Sequence, residues 1–474
     1  LFLISIGILG VAYHLIQKNQ MLAVDNDFKI SVILGVAGTF LFFFSLSGFL
    51  LELAKRSKKF YYNGLNMFVL RQINSKITTT FVSMSMLCLM LFLAISAFAT
   101  GSGLASSVKT DLEDMTKFDY TFYGVSEKGY QEEQQQKFMK RLDALGLTIE
   151  KDAKEILPIT IYQNGTFRKC RYKMEPLLKG REKYSDYTKD YVKKLYEIPL
   201  TFAKLSEYNK IRKAIGEKEL TLKSDEYILN CDYGNLIPIM EKAASDKQKL
   251  TLDGKTYKMK YGLQKDTYMV TAVKTDMGTV ILNDEIIQSL KIDYSTLYLN
   301  INWKGNAQKA SKHYNEHLKQ MIANSKMKNS PYSATFSKEE VYEQSTGLST
   351  IMTYIAIYIG LVFLITCAAV LALQQLSENA DNIEKYQLLS KIGTSQKMIN
   401  HAIKAQIILY FCLPLSLALI HSYVGIKTAK ILISTLGQIN ITKAAAQSLI
   451  IVIVIYIGYM IATYLGSKSM LKEK

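Results

Sequence analysis

A block of about 250 mostly polar residues, 101–349, is held between two long apolar runs, 77–100 and 351–373. It is too long to be a loop and too polar to lie in a bilayer. A chain with this pattern is a membrane protein that carries a folded, water-soluble domain on one side, hung from two transmembrane helices. A change in either part then has a mechanical path to the other.

Charge follows the same division. Residues 101–349 carry about 40 of the 58 Lys+Arg and about 34 of the 41 Asp+Glu, so about +6 of the net +17 belongs to the polar block and +11 to the apolar runs and their short connections. A basic chain invites a nucleic-acid reading. Here the excess sits beside apolar 20-mers, where retention of Lys and Arg on the cytoplasmic side accounts for it, and no nucleic-acid partner is expected. The chain opens at Leu1-Phe2-Leu3-Ile4 inside an apolar run, without the basic lead of a signal peptide. It reads as a fragment whose N-terminal portion is missing.

The apolar runs are 1–16, 30–54, 77–100, 351–373, 405–424 and 447–466. Each approaches the ~20 residues that cross the hydrocarbon as a helix, the first being clipped. The sequence therefore predicts two transmembrane helices in 1–54, a basic helix at 55–76, a third span, the polar domain, and three further spans within 351–466. Segment 55–76 holds Lys55, Arg56, Lys58, Lys59, Arg71 and Lys76 and no acid, which assigns it to the cytoplasm. Alternation then puts 101–349 outside the cell and 374–404 inside. The tail, with Lys468, Lys472 and Lys474, agrees. The loop 425–446, with Lys427, Lys430 and Lys443, does not.

The outer block reads as an α+β domain on helical stalks. In 102–117, Leu104, Val108, Leu112 and Met115 recur at helical steps, followed by strand-like FDYTFYGV at 118–125 with Asp119 at the boundary. At the far end 337–350 leads back to the membrane, and Ser337 with Glu340 fits a capping box. Between them strands are expected at 156–162, 227–231, 256–261, 268–274, 278–282 and 296–303, and helices at 130–145, 186–195, 202–215 and 306–325.

Several candidates have plain alternatives. Cys88, Cys367 and Cys412 fall in apolar runs and read as small packing residues. Cys170 and Cys231 lie in the outer block, either as free thiols or as a disulfide. His313 and His317, with Glu316 between them, share a helix face, but two His without a third ligand make a solvated face more often than a metal site, and no metal is expected. Asn164-Gly165-Thr166 fits a glycosylation sequon. Glu52, Lys404 and His421 lie near span ends and are expected to snorkel. Pro414 removes a backbone hydrogen bond in mid-span, giving a hinge or a static bend. The sequence has no Walker A loop, HExxH or GxSxG, so it makes no case for catalysis.

The most informative short segment is 378–406. Ile383, Leu388, Leu389, Ile392, Met398 and Ile399 form an apolar edge opposite charges; Gly393 breaks it, and Thr394 or Ser395 can cap a second helix. On composition alone an ordinary amphipathic turn is as good a reading. The run from Ile383 to Ser395, followed by a span containing Pro414, resembles the FtsX-type permease pattern of a charged residue, then Glu-Ile-Gly-x-Leu-x-x-x-Gly-Ala-Ser. It keeps Glu384, Leu388, Gly393 and Ser395. It departs at Tyr386-Gln387, where the family often has Ile-Gly, and at Thr394 for Ala. Residues 66–81 also resemble the cytoplasmic helix that precedes the span leading to the outer domain.

Within that superfamily the layout is similar to the C-terminal part of the bacitracin-export (BceB-like) permeases of Gram-positive bacteria, which have ten spans and one large outer domain between the seventh and eighth. The resemblance implies FtsX/MacB-type helices and a plasma-membrane location. It implies a cytoplasmic ABC ATPase partner that binds the ATP and Mg, this chain holding no cofactor. Contact would run through a coupling helix at 383–397 (Ile383, Glu384, Leu388, Leu389, Ile392, Gly393, Thr394, Ser395), with Arg71 and Lys76 nearby. It further implies handling of a peptide antibiotic or its lipid-pyrophosphate complex, and a histidine kinase as a second partner. The rival reading from the same superfamily is a regulator of cell-wall hydrolases, or a lipid- or lipoprotein-handling permease.

Overall fold

The computed structural model describes residues 1–19, 25–126, 139–140, 143–144, 146–185, 187–323, 332–433 and 441–470. The chain divides into two compact units. One gathers residues 1–106, 350–432 and the last helix; the other is Ser107–Ser349.

The first unit is helical because backbone polar groups in an apolar run satisfy one another only within a helix. It begins with α1 (Phe2–Asn19), α2 (Asn26–Arg56) and the single turn α3 (Lys58–Tyr61). Asp25 caps α2, accepting from the Phe28 N–H at 2.9 Å. A tight turn with Gly64 at φ +55° leads to α4 (Asn66–Met115), 50 residues long. The expected single basic helix over 55–76 is thus broken, because the turn at Asn63-Gly64 interrupts it. Its second half is the start of α4.

The second unit is built on a nine-stranded sheet, ordered β5-β6-β4-β7-β3-β2-β8-β1-β9. The strands are β1 (Tyr120–Ser126), β2 (Ala153–Gln163), β3 (Thr201–Lys204), β4 (Glu226–Asn230), β5 (Lys249–Leu252), β6 (Lys255–Met259), β7 (Thr279–Leu282), β8 (Tyr294–Trp303) and β9 (Tyr332–Ser337). Only the β3–β7 and β4–β6 pairs are parallel. Alternation in β8 sends Leu297, Leu299, Ile301 and Trp303 to one face, where they meet Tyr120, Phe122 and the Tyr314 and Leu318 side chains of α6 (Ala307–Ala323). Leu157, Ile159 and Ile161 of β2 face the other side, with Tyr208 and Ile211 of α5 (Leu205–Ala214) and with Leu112 and Met115 of α4.

After β9 the chain re-enters the first unit through α7 (Lys338–Lys391, 54 residues), followed by α8 (Gln396–Ile433) and α9 (Ile441–Met470). At ~1.5 Å per residue, α4 and α7 are each more than twice as long as a ~30 Å hydrocarbon layer. Each carries an apolar span and a polar extension in one unbroken helix. Five described helices have a segment long and apolar enough to cross a membrane: Asn26–Leu46, Thr79–Gly103, Lys338–Ser377, Gln396–Ile431 and Ala445–Ser469. The sixth expected span, 1–16, lies in α1, whose 18 residues end in Gln17-Lys18-Asn19 and fall short of that measure.

Three expectations for the sheet unit need correction. Residues 268–274 form no strand, because their backbone donors are taken elsewhere: Val270 N–H donates to Thr121 Oγ1 at 2.9 Å and Thr271 N–H to the Met115 carbonyl at 3.0 Å. The helix expected at 202–215 is β3 followed by α5. Strands β3, β5 and β9 were not anticipated; the first two have four residues each, too few for a period of two to declare itself. The helix expected at 130–145 falls mostly outside the described residues.

Other side chains are placed differently from expectation. His421 does not snorkel. It is buried, with Nδ1 2.8 Å from the Tyr13 hydroxyl and Nε2 3.0 Å from Thr39 Oγ1, since a polar ring in a helical bundle is most stable when both nitrogens are satisfied. Cys88 and Cys367 are buried, but Cys412 is exposed. Cys170 and Cys231 are both free thiols, Cys231 fully buried. The His313 and His317 ring centroids lie 5.7 Å apart, and no group of three metal-ligating side chains occurs among the described residues. The α8 helix continues through Pro414, and the Tyr456 hydroxyl donates to the Phe411 carbonyl three residues upstream at 2.9 Å.

Candidate functional site

The segment singled out in sequence is the meeting of two helix ends rather than a freestanding helix. Residues 383–391 are the last turns of α7, and 396–397 the first of α8. Gly393 makes the break possible. Its φ of +95° is a left-handed conformation that side chains resist. The Gly393 N–H donates to the Ser390 carbonyl at 3.1 Å and the Thr394 N–H to the Leu389 carbonyl at 3.0 Å. This paired pattern is the Schellman closure of a helix C-terminus. Ser395, not Thr394, caps the next helix: Met398 N–H donates to its Oγ at 3.4 Å.

This sharp turn leaves Leu388 63% and Ile392 74% exposed. Glu384 and Lys391 are exposed beside them, while Leu389 packs against the helical core. Arg71 is exposed on α4. The side chains of Ile383 and Lys76 lie outside the described residues.

Sequence reasoning missed the residue that fixes this end of α7. Tyr386 is 1% exposed; its hydroxyl donates to Gln406 Oε1 on α8 at 2.9 Å, and its ring meets Phe68 on α4 edge-on, with centroids 5.8 Å apart. One side chain therefore joins the end of α7 to the start of α4 and the third turn of α8. The signal was present: Tyr386 is where this chain departs from the permease pattern.

The turn before α4 and the first turns of α8 enclose a cavity of about 190 Å³, lined by Asn63, Leu65, Val69, Met398, His401 and Ala402 among others. Gly64 opposes Met398 there, and a Cβ at Gly64 would lie 3.8 Å from its terminal methyl.

In the sheet unit, the two long helices enter through neighbouring strands. β1 and β9 pair antiparallel, Tyr120 opposite Ser337. Lys338 N–H donates to the Asp119 carbonyl at 3.0 Å, and Asp119 Oδ2 accepts from the Trp303 N–H at 2.9 Å. Asn315 of α6 accepts from the Tyr120 hydroxyl at 2.6 Å and donates to Ser337 Oγ at 3.3 Å. Ser337 in turn accepts from Glu340 N–H at 3.2 Å, the backbone half of the expected capping box.

A second polar cluster lies between β4, β7 and the irregular 264–278 segment. Asp232 accepts from Thr267 Oγ1 and from the Asp276 N–H, each at 2.9 Å. Asp276 accepts from Asn230 Nδ2 at 2.7 Å and from Thr279 Oγ1 at 2.8 Å. Burial raises both carboxyls above the ordinary range; the charge of Asp232 adds to the rise at Asp276, and hydrogen bonds to each oppose it. Lys274, also buried, has its Nζ 4.0 Å from Asp114 near the end of α4.

Comparison with known proteins gives two partial matches. The chain is similar to the bacitracin export permease protein BceB of Halalkalibacterium halodurans, 31% identical over 98 residues, which is 21% of this chain and 15% of that protein. It is also similar to the ABC transporter permease protein YxdM of Bacillus subtilis, 25% identical over 92 residues, 19% of this chain and 15% of that protein. The chain thus spans about 15% of the length of these two relatives. No protein-family model matches it. On a chain of long apolar helices joined to one sheet domain, these matches support an ABC transporter permease family.

Proposed function

We propose that the chain is the membrane subunit of an ABC transporter in which a separate cytoplasmic ATPase moves an extracellular sheet domain, for resistance to and sensing of bacitracin-like antimicrobial peptides. ATP and Mg belong to the ATPase; this chain supplies the docking face and the levers. The observation that carries the reading is the continuity of α4 and α7, each a single helix from an apolar span to the edge of the sheet.

Closure of the ATPase subunits would press on Leu388, Ile392 and the α7–α8 turn. Tyr386 would pass the displacement to α4 and α8 together. Along α4 and α7 it would arrive at Asp119 and Lys338 and deform the outer domain. The route needs no hydrophilic pore, which suits spans with almost no charge in their apolar stretches. The outer domain is net basic, so a bare cationic peptide is a poor electrostatic match, and a peptide bound to an anionic lipid pyrophosphate is a better one. A membrane histidine kinase is the expected listener for such a sensor.

The test is Glu384→Ala with Leu388→Asp in cells challenged with bacitracin and several lantibiotics. Resistance should fall while the protein still inserts in the membrane and the ATPase still hydrolyses ATP. Unchanged resistance counts against the assigned contact. A deletion strain that keeps its drug tolerance but shows altered cell-wall hydrolysis supports the hydrolase-regulator reading instead.

A further inference from the structure

We propose that the cavity walled by α1, α2, α4, α7 and α8 holds one fatty-acyl chain of a membrane phospholipid. This goes beyond the transporter reading and needs only that the helices lie in a bilayer, so its failure leaves that reading standing.

Depth, length and volume select the occupant. The cavity has a volume of about 560 Å³. Four of its five walls lie within the apolar segments Asn26–Leu46, Thr79–Gly103, Lys338–Ser377 and Gln396–Ile431, so the matter that reaches it is bilayer hydrocarbon. One end lies near a membrane surface: Phe28, Thr100 and Ala429 on its wall each stand two or three residues from the end of their segment. Along α4 the wall runs from Leu89 to Thr100, which is ~16 Å at ~1.5 Å per residue and about half the ~30 Å hydrocarbon thickness. That is the reach of a chain from one leaflet. A dry apolar cavity of ~150 Å³ holds the six carbons of benzene, so this one has room for about 20 carbons in the same proportion. One acyl chain fits; a long polyprenyl chain does not.

The lining asks for almost nothing polar. Ile16, Val32, Val36, Leu89, Phe92 and Phe363 supply hydrocarbon. The polar side chains among them are engaged within the protein: the Tyr13 hydroxyl lies 2.8 Å from His421 Nδ1, Ser31 Oγ donates to the Ala12 carbonyl at 2.9 Å, and Thr100 Oγ1 donates to the Ser96 carbonyl at 2.6 Å. Ser96 Oγ has no partner among the described residues, and one hydroxyl is too few to hold a water, which needs two to four. Left empty, the walls would forfeit their dispersion contacts. Val36, Leu93 and Ile359 on the wall are 40%, 46% and 41% exposed at span depth, so a chain can enter sideways from the bilayer.

The test places the full chain in nanodiscs of phosphatidylcholine and phosphatidylglycerol containing a phospholipid with a diazirine at the tip of one acyl chain. Photolysis adducts are located by mass spectrometry. Leu89 on the deep wall should be labelled several-fold more than Ile365, which is 50% exposed on α7, two residues from Phe363, and off the cavity. Ala97→Phe, whose ring takes up about a quarter of the volume, should cut the Leu89 adduct about fivefold. Val36→Trp, which fills the cavity from α2, should do the same, and the Ile365 adduct should persist in both. Monodisperse elution identifies the variants that fold. Labelling of Leu89 no greater than that of Ile365, or unchanged in the folded variants, overturns the assignment. Displacement of the Leu89 adduct by a long polyprenyl phosphate, but not by unlabelled phospholipid, overturns the acyl chain as occupant. In intact cells a benzoylphenylalanine at Phe92 should capture lipid; capture of protein alone would make the cavity a protein interface and also overturn it.

Discussion

The Lys338 N–H donates to the carbonyl of Asp119 at 3.0 Å. The residue that opens α7 is thereby bonded to the residue just before β1, four positions after α4 ends. Two helices 222 residues apart in sequence at these ends are joined by the antiparallel β1–β9 pair, and Asn315 ties the same point from a third element. Both helix ends therefore meet the sheet at one place.

Asn315→Ala tests that junction. It removes the acceptor of the buried Tyr120 hydroxyl and a donor to Ser337, at a cost of about 1–3 kcal/mol. For a unit of this size the melting temperature should drop by about 2–4 °C per kcal/mol. Thermal unfolding of the purified protein checks it, and hydrogen exchange should rise first in β1 and β9. An unchanged melting point and exchange pattern would mean the bridge contributes nothing.

A thiol crosslink between the helical arms 102–117 and 337–350 should abolish transporter function, provided it lies on the span side of the β1–β9 pair. Leu112 and Val341 share one core cluster and are suitable positions. Full resistance after a verified Leu112–Val341 crosslink would contradict the mechanical route.

Gly393 holds φ at +95°. Gly393→Ala introduces a Cβ into a left-handed backbone at about 1–2 kcal/mol, whereas Gly393→Asn, which tolerates that region better, should cost less. Antibiotic tolerance and ATPase co-purification should rank wild type, Asn, Ala. Equal behaviour of Ala and wild type would show that the turn is not needed in this form.

The buried Asp232–Asp276 pair should make its own surroundings in the sheet unit sensitive to pH. Burial holds both carboxyls above their usual range, so the folded chain keeps protons that an unfolded chain releases near pH ~4. The pair's own contribution to stability is then full below that pH and is lost as pH rises through the raised values. Hydrogen exchange of the Asn230–Asp232 and Asp276–Thr279 amides, corrected for intrinsic rate, should show more frequent opening at pH 8 than at pH 5. Faster opening at the lower pH would reverse the sign.

Tyr386→Phe keeps the ring against Phe68 but removes the hydrogen bond to Gln406, worth about 0.5–1.5 kcal/mol. The variant should insert and bind ATPase normally yet confer less resistance per ATP hydrolysed. Loss of assembly instead would make Tyr386 a purely structural anchor.

Sequence alone determined the long-range plan. Apolar runs of membrane length, a polar block of domain size and an acid-free basic segment are additive properties of neighbouring residues, so they could be read without folding the chain. The break at Gly393 was equally local, because only glycine takes that backbone angle readily. Tertiary structure decided what depends on partners distant in sequence. Tyr386 is an anchor only because Phe68 and Gln406 arrive beside it, and His421 is buried only because Tyr13 and Thr39 supply its hydrogen bonds. Residues 268–274 carry strand-forming side chains but give their N–H groups to Thr121 and Met115. Hydropathy ranks a residue by its own chemistry, whereas burial and hydrogen bonding are set by the neighbours that folding brings to it.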